Sequence, residues 1–200
     1  VSSVVTGFDF VFGNNKVGDV KYMNEYVHKT NAFGFFTVSE VKNKNNYEVS
    51  SSIIRKFLRN GKIENANCLL TRNWTVAGKV IKGEQKARKI GFRTVNIKMN
   101  KYCDIKRGVY LVSIKINEDY NNKKLLGIAN FGVKPTFNQT EPLLEVHIFK
   151  FDKDIYNRLV KITFHKFIRD EKKFESIEKL KDQIIKDINQ IKNEKLLKDN

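Results

Sequence analysis

Between residues 160 and 165 apolar and polar positions alternate one by one, with Val160, Ile162 and Phe164 interleaved with Lys161, Thr163 and His165. A period of two puts the two sets on opposite faces of an extended chain, so the run predicts a half-buried β-strand. The runs WTVAGKVIKG, VYLVSIKIN, KLLGIANFG and LLEVHIFKF share strand chemistry and are separated by Gly, Pro and Asn, with no helical pattern between them. Several such strands in succession predict an antiparallel β-barrel. Beyond them the period lengthens. Ile177, Leu180, Ile184, Ile188 and Ile191 fall at 3-4-4-3 spacing, a single apolar stripe on a long helix with Ser176 as its N-cap. That stripe must lie against something, and the barrel wall is the expected partner.

Upstream of Trp74 the pattern is different. SSVVTGF reads as a buried strand ended by Gly7. In GDVKYMNEYVHK, Val20, Met23 and Val27 share one helical face behind an Asp19 cap. FGFFTVSEV returns to strand chemistry, and SSSIIRKFLRNGKIENANCLL reads as two short helices broken at Asn60-Gly61. Strand, helix, strand, helix is the order of an α/β unit with a parallel sheet, of which only the second half is expected here. The expected fold class is therefore α+β, with a partial α/β unit over residues 1–72 and an antiparallel barrel carrying one long helix over residues 73–200.

Composition refines this picture only a little. A chain of 200 residues, 40% of them hydrophobic and 15 of them Phe, can build an ordinary core. The net charge of +16 favours polyanions of every kind. Yet the basic residues are spread along the chain, and much of the excess is Lys accompanied by Asn and Ile, as A/T-rich codons produce. The charge reads mainly as compositional drift and solvated surface. Nucleic acid is not the favoured partner, because aromatic residues are not interleaved with basic ones in a stacking strip. No apolar run approaches the roughly 18 residues that span a bilayer, so no membrane is expected. With no signal-peptide pattern, a cytoplasmic location is the default. Self-association is left open. Cys68 and Cys103 are too few and too far apart for a disulfide framework or a zinc site and are expected as reduced, buried thiols. The opening VSSVVTGFDF lacks a Met and reads like the interior of a longer protein.

Candidate chemistry concentrates in GEQKARKIGFRTVNI, residues 83–97. Gly83 and Gly91 bracket a basic loop whose backbone N–H groups can approach phosphate oxygens, although such loops are commonly plain turns. Thr94 and Asn96 point the same way if the chain is extended, and their oxygens are hard donors suited to Mg²⁺ beside phosphates. A strand pair of that type is also common as a surface feature. In LLEVHIFKF, Glu145 and His147 share a face with Leu143 and Phe149. A carboxylate between apolar neighbours can act as a base. It can equally be a carboxylate at a barrel mouth, bridged to one of many lysines. His28 and His165 have no partners at metal-ligand spacing and read as surface or satisfied side chains.

Taken together, WTVAGKVIKGEQKARKIGFRTVNI, GVY, NFGVKPTF, LEVHIFKFDKDIY and IRDEKKFESIEKL match in order and spacing over nearly all of residues 72–190. On these motifs the chain resembles the riboflavin kinase module of the prokaryotic bifunctional riboflavin kinase/FAD synthetases. GFDFVFG and SSSIIR resemble the later motifs of the FMN adenylyltransferase module that precedes it, a nucleotidyltransferase-like, Rossmann-like unit. The histidine-bearing phosphate segment that opens that module in the family is not in this sequence.

The resemblance implies ATP and riboflavin as substrates, FMN as product and Mg²⁺ as cofactor. It implies that Thr94 and Asn96 bind Mg²⁺ and the ATP phosphates, matching the family's Pro-Thr-x-Asn motif, and that Glu145 is the general base. The loop from Gly83 to Gly91 would cover the nucleotide with Arg88 near its phosphates. Arg169 would belong to the segment that closes over the flavin. Asp9, Ser51, Ser52 and Arg55 would be the remnant of the adenylyltransferase site, with FAD synthesis doubtful for this chain alone. Two positions depart from the family pattern: Arg93 stands for Pro and Ala87 for Gly. Losing Pro frees a backbone angle before Thr94, and Ala87 cannot take a positive φ without strain. The alternative readings are accordingly a catalytically weakened remnant that binds flavin and nucleotide, and a basic barrel that holds nucleic acid.

Overall fold

The computed structural model describes residues 1–42, 48–83, 91–92, 94–99, 104–116, 124–133 and 142–191. The chain forms two compact units, Val1–Ser51 and Ser52–Asn200.

In the first unit, β1 (Ser3–Gly7) and β4 (Gly34–Val38) pair in parallel, with Val4 opposite Phe35 and Thr6 opposite Thr37. Between them come β2 (Val11–Phe12) and β3 (Gly18–Asp19), a short antiparallel pair, and helix α1 (Val20–Thr30). The expected cap is in place: the Tyr22 N–H donates to the Asp19 side chain at 2.7 Å. Asn31 ends the helix in the left-handed region at φ 52°, a conformation Asn tolerates better than most residues. One expectation needs correcting. The SSVVTGF strand forms, but it is not buried: Val5 is 64% exposed. A sheet of two strands gives each strand only one neighbour.

In the second unit, α2 (Ser51–Arg59) and α3 (Ile63–Leu70) are separated by Gly61 at φ 72°, which fits the predicted break. Six strands follow: β5 (Thr75–Ile81), β6 (Thr94–Lys98), β7 (Gly108–Ile116), β8 (Lys124–Val133), β9 (Pro142–Ile148) and β10 (Leu159–Arg169). They close into an antiparallel barrel in the order β10-β5-β6-β9-β8-β7. Closure removes the open edges that a flat sheet would present.

The interior of the barrel is filled from the alternate positions that the pattern of two selects. Val80, Ile97, Tyr110, Val112, Leu144, Val146, Ile162 and Phe164 are all buried in one cluster. Leu58, Ile63 and Ala66 belong to that same cluster, so α2 and α3 pack with the barrel. The two compact units divide between Ser51 and Ser52. Cys68 corrects a second expectation, for it is exposed. The inward face of α3 carries Ile63, Ala66 and Leu69, and Cys68 lies off it.

Helix α4 (Ile177–Ile191) lies on the outside of the barrel. Its Ile184, Ile188 and Ile191 cover Val109 and Leu111 of β7 and Ile128 of β8. Ser176 caps it as expected, accepting from the Lys179 N–H at 3.2 Å. His165 is buried beside Ser113 at 2.9 Å and His28 is exposed.

Candidate active site

The residues that matter sit on the outer face of β6, β9 and β8, opposite to the core positions. Across these strands Asn96 is in register with Glu145, and Glu145 with Asn130. One step along, Thr94 is in register with His147, and His147 with Ile128. Directly opposed residues on one face bring their Cβ atoms within about 4.5–5.5 Å. The strand pairing therefore assembles Thr94, Asn96, Glu145, His147 and Asn130 into one patch. Its regularity follows from Val95, Ile97, Leu144 and Val146 being held on the other face by the core.

Asn96 is 3% exposed, and its Oδ1 has no hydrogen-bond partner among the described residues. A buried amide oxygen without a partner costs on the order of 1–3 kcal/mol. Such an atom fits a site made to receive something. Gly83 lies directly against it: a Cβ at residue 83 would fall on the Asn96 amide. Glycine is thus required here by close approach rather than by an unusual backbone angle. Among the described residues there is no group of three His, Cys, Asp or Glu able to hold a metal ion by themselves. Hard oxygen donors from Asn96 and Thr94, completed by phosphate and water, are the donor set that suits Mg²⁺.

Thr94, Glu145 and His147 open into a cleft together with Phe92, Val109, Ile128, Ala129 and Asn130. Arg169, Lys172, Phe174, Leu180, Ile184 and Asp187 line it as well. Phe92 meets the His147 ring edge-on, with centroids 5.1 Å apart. The cleft is apolar along most of its walls, with a few convergent polar groups, as small-molecule sites are.

Arg169 lies at the end of β10, beyond a register shift between Phe167 and Arg169. Its Nε donates to both Asp187 carboxylate oxygens at 2.9 and 3.0 Å, and its Nη2 to Oδ2 at 2.8 Å. Gln183, one turn earlier on α4, donates to Asp187 Oδ1 at 2.8 Å. Asp187 is 2% exposed. Burying a carboxylate this deeply requires a partner, and the guanidinium supplies it.

Of the residues expected from the sequence, Thr94, Asn96 and Glu145 meet on neighbouring strands, Gly83 lies against Asn96 just beyond β5, and Thr94, Glu145 and Arg169 border one cleft. Arg88, Ala87, Arg93 and Cys103 lie outside the described residues. Asp9 is exposed in the turn after β1, and Ser51, Ser52 and Arg55 are exposed in the first turns of α2. Asp187, Phe92 and Phe174 were not expected. Asp187 had a signal in the sequence, as a carboxylate placed between Ile184, Ile188 and Ile191 on the apolar stripe.

Residues 70–195 match the Flavokinase family model, described as riboflavin kinase. The bifunctional riboflavin kinase/FMN adenylyltransferase of Buchnera aphidicola subsp. Schizaphis graminum is 38% identical over 194 residues, covering 96% of this chain and 61% of that protein. The protein of the same name from Bacillus subtilis is 37% identical over 191 residues, covering 94% and 58%. The chain thus spans about three-fifths of the length of these relatives. Among solved structures, that of a macrolide-efflux protein from Streptococcus pneumoniae matches with a TM-score of 0.78 at 30% identity, over 94% of this chain and 59% of that one. No described helix of this chain is long and apolar enough to cross a membrane. With the family model matching residues 70–195 of 200, the chain belongs to the riboflavin kinase family.

Proposed function

We propose that this chain transfers the γ-phosphoryl group of ATP to the 5′-hydroxyl of riboflavin, giving FMN and ADP. The observation that carries the reading is the juxtaposition of Asn96, whose buried Oδ1 has no partner among the described residues, with Glu145 on the next strand. Family membership supplies the substrate class, and the apolar, partly aromatic cleft beside Glu145 suits a flavin ring.

In the reaction the ribityl oxygen attacks the γ-phosphorus, the bond from phosphorus to the ADP oxygen breaks, and the hydroxyl proton passes to the Glu145 carboxylate. Proton removal by a positioned base typically contributes about 10²–10⁴ in rate. Asn96 and Thr94 would hold Mg²⁺, whose charge would neutralise that of the phosphates. The register of β6 against β9 then fixes where the phosphate end and the base stand relative to each other. Phosphoryl transfer asks mainly for positioning and electrostatics, so few reacting side chains are needed. Gly83 supports the reading from the nucleotide side, since its lack of a side chain keeps the Asn96 amide in place.

The residues before 72 take the role of an FMN adenylyltransferase remnant in this proposal, and residues 73–200 that of the kinase. Asp9, Ser51, Ser52 and Arg55 would serve adenylylation of FMN to FAD in a longer protein that carries the preceding segment. For this chain the proposed activity is the kinase step, in the cytoplasm. The test is product analysis: incubation with riboflavin and Mg-ATP should yield one FMN per ADP formed. ATP hydrolysis without FMN, or no turnover of riboflavin at saturating nucleotide, would refute it.

A further inference from the structure

The guanidinium of Arg169 is not free to act as a charge toward a ligand. Its Nε and Nη2 are held by Asp187 at 2.8 to 3.0 Å, and its Nη1 donates to the Asp170 carbonyl at 2.9 Å. The pair is nearly neutral as a unit and lies at the wall of the cleft. The flat face of the guanidinium remains available, and Phe174 uses it: the guanidinium carbon is 5.8 Å from the centre of that ring. Phe174 belongs to residues 170–174, which have no helix or strand to fix them. Its ring lies against the Arg169 face, and Arg169 is held by Asp187, itself oriented by Gln183.

Phe92 and His147 line the same cleft as Phe174, with Glu145 on the same strand as His147. Several aromatic rings around one apolar cleft offer stacking surface to a planar ring system. We propose that Asp187 is a positioning residue for the flavin: through Arg169 it holds Phe174 as one wall of the slot that takes the isoalloxazine ring. This inference rests on the riboflavin kinase reading for the identity of the planar ligand. Pairing Arg169 with Asp187 cancels its charge and leaves the guanidinium face as an aromatic-stacking surface.

The test uses the 200-residue chain and two binding readouts, quenching of riboflavin fluorescence and calorimetric titration of Mg-ADP. Asp187→Asn should weaken riboflavin binding by about tenfold, the scale of a lost cation–π support, with the Mg-ADP constant within about twofold. Because a buried guanidinium left unpaired can unfold a protein, a second variant carries the decision. Arg169→Met with Asp187→Leu replaces the pair by apolar side chains and keeps α4 packed. That double variant should show the same loss of riboflavin affinity, and adding Phe174→Leu to it should cost nothing further.

If the double variant binds riboflavin as the parent does, the pair only fastens α4 and the proposal is overturned. Equal loss of Mg-ADP and riboflavin binding would overturn it as well. A parent chain that binds riboflavin, responds to these substitutions and yet makes no FMN would sink the kinase reading alone. A parent that binds no riboflavin would remove both.

Discussion

At the level of single residues, the site is set by what a neighbouring side chain forbids. The Asn96 amide occupies the space where residue 83 would carry a Cβ. Gly83→Ala must therefore displace a buried side chain, and overpacking of this kind costs roughly 1–3 kcal/mol. Titration with Mg-ATP should show weaker nucleotide binding, while riboflavin binding is unchanged. Equal weakening of both would place Gly83 outside the nucleotide end. His165 makes a different prediction. Burial, and after it Lys124, lowers its pKa from 6.5 to about 4, and Ser113 occupies one of its ring nitrogens. The unfolded chain takes up that proton near pH 6.5, whereas the folded chain does so only near pH 4. The neutral ring's contribution is thus fully present above that upper value and is lost as pH falls toward the lower one. At about 1.4 kcal/mol per pKa unit, the loss is on the order of 3 kcal/mol. Denaturation at pH 7 and near the lower pKa should show a smaller difference for His165→Gln than for the parent. A parent whose stability is flat across this window would contradict it.

Elements were legible wherever one period dominated. The alternation in LLEVHIFKF set Glu145 and His147 on one face, and the structure has Leu144, Val146 and Ile148 buried on the other. The stripe from Ile177 to Ile191 became α4, lying against the barrel as expected. Partners across the chain were less legible. The pairing of β6 with β9 and of β5 with β10 joins strands far apart in sequence, and no local turn encodes such a register. The same gap affected α2 and α3. Their apolar positions announce that they are buried but not what buries them. A stripe reads as complete even when a carboxylate such as Asp187 is lodged in it, because periodicity counts apolar positions and ignores a paired charge among them. The assignment of α3 to the barrel is open to a direct check. Ile63 is 1% exposed within the barrel's cluster, and Ile→Ala in such a site costs about 2–5 kcal/mol. The denaturant midpoint of the barrel should fall by that amount in Ile63→Ala. A barrel transition that does not move would assign α3 to the first unit.

For the whole molecule, the architecture expected from the sequence, an antiparallel barrel with a long C-terminal helix, is the one the structure has. Thr94, Asn96 and Glu145 were each ambiguous as isolated residues. Their order within five spaced motifs gave them a shared meaning, and the barrel register then put Asn96 opposite Glu145. The net charge of +16, the most conspicuous property of the composition, contributed little, because the site is built from neutral oxygens, one carboxylate and a cancelled ion pair. The central claim is that Glu145 removes the riboflavin hydroxyl proton at a nucleotide site organised by Asn96. Its most direct test is Glu145→Gln, an isosteric change that keeps the strand and removes the base. Single-turnover FMN formation should fall by about 10² or more, with riboflavin and Mg-ADP dissociation constants within a few-fold of the parent. Near-normal turnover in a folded Glu145→Gln chain would contradict the account.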